Sequence, residues 1–322
     1  MKSPSRLNLL LSSLCAFVLL SACSHKDEGR QIRIAFVTNS AADYWAIARE
    51  GCEKADEELH NVQVEFRMTS DGTVAQQKRI VDDLLAHGVS GLAISPVDPV
   101  SETGMINEAA RQALVMTQDS DVPNSNRVFY LGTDHHAAGV QAGELIKQAL
   151  PAGGRIMVFA GRLEPQNILD RYQGIKDALA GSNVEIIDLL TRGSDPSRAK
   201  VNTSDTLVRY PQVAALVGLS NYDGPAILSA VRDAGKAGKV KIICFGEDDQ
   251  TLAGVKSGAV YATVVQQPYE FGYQAVQMMA KILGGDRSVI PAGKQQFIPT
   301  LVVNQANVDE FTERLNRLHG RA

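Results

Sequence analysis

The sequence predicts an α/β protein of two lobes, each a parallel sheet flanked by helices. Three observations predict it. Short β-rich apolar runs alternate with amphipathic stretches from residue 31 onward. The runs are continuously apolar rather than alternating, as strands buried on both faces are. There are about ten such strands, more than a compact sheet of ordinary size holds.

The runs in the first half are 32–38, 62–68, 91–95, 114–117 and 128–133. Those in the second are 155–160, 184–190, 214–219, 240–245 and 262–265, with 297–303 near the end. Helical spacing fills the intervals, as in Ile80, Val81, Leu84 and Leu85 or Val276, Met279, Ala280 and Leu283. Strand–helix–strand units of this length build parallel sheets. The division falls near 133–138, where no long Gly-, Ser- or Pro-rich linker intervenes. Two such lobes joined by short crossovers leave a cleft at the carboxyl ends of their strands, where open α/β sheets place ligands.

The chain has 322 residues, 44% hydrophobic and 21% charged, a composition that excludes a disordered or collagen-like polymer. A formal charge of −4 argues against a nucleic-acid partner. Only 4 cysteines in this length exclude a disulfide-built scaffold.

The amino terminus is separate. Lys2 and Arg6 precede an apolar run, 9–20, too short to read first as a membrane span. The run ends in Leu20-Ser21-Ala22-Cys23, which resembles a bacterial lipobox. An ordinary export signal with an incidental cysteine is the simpler alternative; charge, apolar length and residue order together favour the lipobox. The resemblance implies a signal peptide at 1–22, lipid on Cys23, a polar tether at 23–30 and a membrane anchor. Cleavage would remove both Lys2 and Arg6 and no acidic residue, leaving a more acidic protein. Cys52 and Cys244 would remain as thiols. Cys52 shares a helical stripe with Ala48, Ala55 and Leu59, and Cys244 lies in an apolar run. Both read as small buried hydrophobes in different halves.

Several segments, in order, carry a whole-chain resemblance. They are Ile34-Ala35-Phe36-Val37-Thr38 with Tyr44-Trp45, Gly91-Leu92-Ala93-Ile94-Ser95-Pro96, and Thr117-Gln118-Asp119-Ser120. Gly132-Thr133-Asp134 with Ala138-Gly139, Arg171-Tyr172-Gln173-Gly174 and Ala262-Thr263-Val264-Val265-Gln266-Gln267-Pro268 follow. Over residues 31–305 the chain resembles the ribose-binding-like, type I periplasmic sugar-binding proteins of ABC importers. That implies two Rossmann-like lobes joined by a three-segment hinge, with crossings near 133–137, 264–267 and 291–294. The first lobe would comprise 31–134 plus about 267–291, and the second 135–266 plus about 292–318. The long helix at about 269–283 would return to the first lobe.

A sugar site needs flat, paired donors and acceptors for hydroxyls and aromatic faces for the ring. The resemblance implies such roles for Asp119, for Arg171 forking onto hydroxyls, for Gln266 at a crossing, and for Tyr44 or Trp45 against the ring. Asn167 lies one helical turn before Arg171. Thr38, Ser95, Ser120 and Glu247 complete the candidates, with Asn221 and Asp223; which of Asn221, Tyr222 and Asp223 reaches the ligand stays open. The chain departs from the family at Ala42 and Ser95, each in place of an asparagine, and at Ser120, in place of an arginine. It departs again at Gly246, where an acid is usual and Glu247 and Asp248 follow. These departures put ribose itself in doubt and leave a polyol-shaped site.

Metalloprotease, nucleophile-elbow and phosphate-loop motifs are missing, and no Cys/His set is clustered. No enzyme, cofactor or metal is therefore expected, and His135-His136 reads as hinge or surface. The expected protein is an exported, monomeric, lipid-anchored binder of a small sugar that serves an ABC permease. Two alternatives are a sensor subunit feeding a chemoreceptor or histidine kinase, and a binder of a non-sugar molecule.

Overall fold

The computed structural model describes residues 31–319 except 43, 162–165, 194 and 196. The expected signal peptide at 1–22, Cys23 and the expected tether at 23–30 lie outside the described residues. The chain runs β1 (Ile32–Val37), α1 (Tyr44–Glu58), β2 (Val62–Arg67), α2 (Val74–Ala86), β3 (Gly91–Ile94), α3 (Thr103–Ala109), β4 (Leu114–Gln118) and β5 (Tyr130–Gly132). It continues through α4 (His135–Ala149), β6 (Gly154–Ala160), α5 (Gln166–Leu179), β7 (Val184–Thr191), α6 (Ser197–Arg209), β8 (Ala215–Gly218) and α7 (Asp223–Asp233). Then come β9 (Lys241–Phe245), α8 (Asp249–Lys256), β10 (Ala262–Val265), α9 (Pro268–Leu283), β11 (Gln295–Phe297), β12 (Leu301–Val303) and α10 (Val308–Leu318).

The strands form two six-stranded sheets, ordered β11-β5-β4-β3-β1-β2 and β12-β10-β9-β8-β6-β7. All pairs are parallel except β10 with β12. β1, β3, β8 and β10 are buried along most or all of their length, which is why their sequences read as unbroken apolar runs.

One expectation is corrected here. The run 297–303 is not a single strand: β11 pairs with β5 in the first sheet and β12 with β10 in the second. Arg127 Nη1 and the Tyr130 amide both donate to Lys294 O, at 2.9 and 3.0 Å, and hold this segment beside β5. Pro299, which has no N–H to continue a ladder, then interrupts the run. The third crossing therefore lies at 298–300 rather than 291–294, and residues 295–297 belong to the first sheet.

The three crossings are bonded to one another. Gln266 Nε2 donates to Thr133 Oγ1 at 2.9 Å, and the adjacent Gln267 Nε2 donates to Pro299 O at 2.8 Å. The second crossing thus carries one amide for each of the others.

Each lobe contains a helix pair in backbone contact through glycine. A Cβ on Gly51 of α1 would sit 2.0 Å from Tyr269 O of α9, and one on Gly272 of α9 would sit 2.0 Å from Ala48 O. In the second lobe a Cβ on Gly139 of α4 would meet Arg171 O at 2.1 Å, and one on Gly174 of α5 would meet His136 O at 2.1 Å. α9 therefore packs on the first lobe, and α5 is seated against α4 at the level of Arg171. His136 Nε2 approaches Asp177 Oδ2 at 2.8 Å on the α4–α5 surface, whereas His135 is buried.

Cys52 packs with Phe36, Trp45 and Phe271 in the first-lobe core, and Cys244 with Leu216 and Ile227 in the second. Both are free thiols. Ile47 of α1 joins the second-lobe cluster that also holds Leu315 of α10, with Phe311 and Tyr269 packed against it, so the lobes touch there. Among the described residues no helix is long and apolar enough to cross a membrane.

Candidate functional site

The carboxyl ends of β1, β4, β8, β9 and β10 open on an interlobe cleft of about 500 Å³. Its polar lining includes Asn39, Tyr44, Asp119, Arg171, Glu247 and Gln266.

Asp119 follows β4 with φ 59°, a left-handed conformation that Asp tolerates better than most residues. Its backbone is held on both sides: the amide donates to Leu131 O at 3.1 Å, and Tyr130 Oη donates to Asp119 O at 2.9 Å. The turn directs the carboxylate into the cleft. Tyr44 Oη donates to Oδ1 at 3.3 Å and Ser95 Oγ to Oδ2 at 3.1 Å, while Asn39 Nδ2 donates to Ser95 Oγ at 3.0 Å. Burial raises the Asp119 pKa, opposed by the Ser95 hydrogen bond and the Arg171 charge. Burial, reinforced by Asp119, likewise holds the Tyr44 phenol far above its ordinary range, so it stays a donor.

Arg171 enters from α5 and is 5% exposed. Nη1 donates to Leu219 O at 2.8 Å, Nη2 donates to Gln266 Oε1 at 3.1 Å, and the guanidinium lies 4.5 Å over the Phe245 ring. Its Nε is buried without a hydrogen-bond partner among the described residues. Burial pulls its pKa down to about 10, offset by Asp119, so it remains a cation at neutral pH.

Glu247 follows β9 through Gly246, whose φ is 96°. A Cβ there would lie 2.2 Å from Asn221 Oδ1, so the acid expected at this position is sterically replaced by glycine and the carboxylates fall one and two residues later. Burial pushes the Glu247 pKa up to about 7, with Arg171 opposing.

A polar cleft between two α/β lobes, reached from both by buried side chains, defines the kind of protein this is. The sequence profile of the periplasmic binding protein domain matches residues 34–287. The chain belongs to the periplasmic binding protein family. The D-ribose/D-allose-binding protein of Pseudomonas aeruginosa is 26% identical over 292 residues, spanning 84% of this chain and 91% of that protein. AraP, an arabinose-binding protein of Geobacillus stearothermophilus, superposes with a TM-score of 0.79 at 28% identity, covering 87% of this chain and 99% of its own. A structure of the XylFII–LytSN complex matches with a TM-score of 0.74 at 28% identity, covering 86% and 98%.

In this periplasmic binding protein the cleft collects Tyr44, Asp119, Arg171, Asn221, Glu247 and Gln266 from the candidates. Trp45 also borders it, but is 2% exposed, stacks edge-on to Phe36 and Tyr44, and donates Nε1–H to Ser40 Oγ at 3.1 Å. Its bulk belongs to the core. Ser95 is fully buried behind Asp119 and orients it.

Four other candidates do not line the cleft either. Thr38 is fully buried, its hydroxyl donating to Ser40 O at 2.7 Å. The Ser120 amide closes a turn onto Gln118 O at 2.7 Å. Asn167 is partly buried one turn before Arg171, with Oδ1 unpartnered among the described residues. Asp223 sits at the start of α7 and accepts from the Ser220 amide and hydroxyl at 2.9 and 2.7 Å, with Arg192 Nε 3.9 Å away.

The structure also separates the trio that the sequence left open. Asn221 accepts the Asp248 amide at 3.0 Å and fixes the β9 loop, and Asp223 faces inward. Tyr222 borders the cleft with 63% of its surface exposed, an aromatic side chain that no sequence pattern distinguishes. Asn39, Ala41 and Asp248 were missed as well, since short loops after strands carry no periodicity.

Proposed function

We propose that the protein captures a sugar or related polyol in the interlobe cleft and delivers it to an ABC permease. The observation that carries this reading is the convergence of Asp119, Arg171 and Gln266 on one cleft from both lobes and the crossing between them, beside Tyr44. A carboxylate, a guanidinium and an amide offer the flat paired groups that match vicinal hydroxyls. The names of the ribose/allose- and arabinose-binding relatives support the same class of ligand. Because ligand groups meet both lobes, closure is rewarded by contacts that only the closed form makes.

The family implies an exported, periplasmic protein. Lipid on Cys23 would hold it at a membrane, and several acyl chains together anchor far more firmly than one. It would work as a monomer, with two lobes, 31–134 plus α9 and β11 and 135–266 plus β12 and α10, closing on ligand. The deciding experiment is a thermal-shift panel of pentoses, hexoses and polyols. Ligand at 100 times its dissociation constant stabilises by about 2.7 kcal/mol. Stabilisation by nucleosides or branched amino acids alone would overturn the reading.

A second reading, a sensor subunit that passes closure to a chemoreceptor or histidine kinase, is supported by the neighbour solved in complex with a partner, LytSN. Copurification with a permease or with a receptor separates the two.

A further inference from the structure

The cleft is unbalanced in charge. Among the described residues lining it, Asp119, Glu247 and Asp248 are acids and Arg171 is the single base. Arg171 does not neutralise them by ion pairing: its two terminal nitrogens donate to the neutral acceptors Leu219 O and Gln266 Oε1. The donors on Asp119, Tyr44 and Ser95, are neutral too. Asp248 is partly occupied, since its Oδ1 caps α8 by accepting the Gln250 amide at 2.8 Å. Glu247 makes no ion pair among the described residues. Arg314 of α10 lies across a small apolar hollow on its other side, with Phe311 and Leu315, and is exposed to solvent.

A neutral polyol would close the lobes over this excess of negative charge and expel the water that screens it. Ligand hydroxyls offset part of the cost of withdrawing carboxylates from water; the remainder is met when a cation pairs with them or when they take up a proton. The proton-holding tendency of Glu247 in the cleft, with a pKa near 7, is the second outcome. A ligand ammonium group supplies the first.

Resting on the reading of the cleft as a sugar or polyol site, we infer that its ligand carries a protonated amine that pairs with Glu247: an amino sugar or aminocyclitol rather than a neutral sugar. Asp119 and Glu247 approach from opposite lobes, so an amine near both would also reward closure. Arg171, through its free Nε, would then serve the hydroxyls.

The test compares ligands that differ at one group, by calorimetry on the intact mature protein at pH 7.5. The pairs are glucosamine with glucose, galactosamine with galactose, and scyllo-inosamine with scyllo-inositol, with the N-acetylated amino sugars as uncharged controls. The expected result is tighter binding of at least one amine over its neutral partner by about tenfold or more, the scale of a charge-assisted contact. Glu247→Gln removes the preference and Glu247→Asp retains it, which distinguishes charge from folding damage. Neutral sugars binding as well as or better than their amines would overturn this inference and leave the sugar reading intact. An amine preference that survives in Glu247→Gln would overturn it also. Binding of neither series would overturn both.

Discussion

Gln266 and Thr133, residues of two different crossings, are joined side chain to side chain, with Gln266 Nε2 donating to Thr133 Oγ1 at 2.9 Å. The other end of the same amide accepts from Arg171. One glutamine therefore couples the hinge to the cleft. Thr133→Val removes only the hinge bond and should lower stability by about 1 kcal/mol, a Tm loss of roughly 2–4 °C for a chain of this size. Gln266→Leu should lower affinity as well, because it also strips an acceptor from Arg171. Equal affinities for the two variants in calorimetry would show that the amide acts on the hinge alone.

Arg171→Ala should weaken ligand binding by about tenfold to a hundredfold, the range of a lost charge-assisted contact. Sequence reasoning alone expects its fold to be untouched, since no apolar core residue is lost. The buried guanidinium, stacked on Phe245 and bonded to Leu219 O, argues otherwise. The variant should melt lower and fail to compact with ligand in small-angle scattering. Wild-type compaction would remove Arg171 from the site.

Gly174→Ala tests how the site is positioned. The added methyl would meet His136 O at 2.1 Å and force α5 away from α4, carrying Arg171 with it. Overpacking of this kind costs typically about 1–3 kcal/mol. Circular dichroism melts should show the loss, and affinity should fall although no ligand-facing atom has changed.

Glu102 makes the protein's stability depend on pH. It is 0% exposed, Oε2 accepts the Asp98 amide at 3.3 Å, and Oε1 has no partner among the described residues. Burial lifts its pKa from 4.5 to about 7. The folded protein thus holds this proton more tightly than the unfolded chain. The resulting stabilisation is complete below pH 4.5 and is lost as pH rises through 7. Asp223, lifted to about 6, and Glu247, lifted to about 7, act in the same direction. Glu102→Gln cannot ionise, so its Tm relative to wild type should improve from pH 5 to pH 7 and level off above that. A constant difference across that range would refute the assignment.

Cys23→Ser should release the protein from membranes and abolish incorporation of labelled acyl chains. Labelled, membrane-bound variant protein would refute the lipobox assignment.

The amino-acid sequence by itself determined the alternation of strands and helices, because burial on both faces leaves continuous apolar runs that need no knowledge of neighbours. It also pointed to Asp119, Arg171 and Gln266 through their resemblance to known family positions. It did not separate Thr38, Trp45 and Asp223 from them. These are polar or aromatic residues at the same strand-to-helix ends of the sheets, yet turn inward to Ser40 O, Ser40 Oγ and Ser220. Nor did it reveal that 297–303 divides between two sheets, or that Tyr222 faces the cleft while Asn221 braces Asp248. The physical reason is one of range. Periodicity reports whether a residue is buried, whereas the direction of a loop side chain depends on which strand lies beside it. That choice is made by pairings between residues more than a hundred positions apart, such as Phe297 with Gly132.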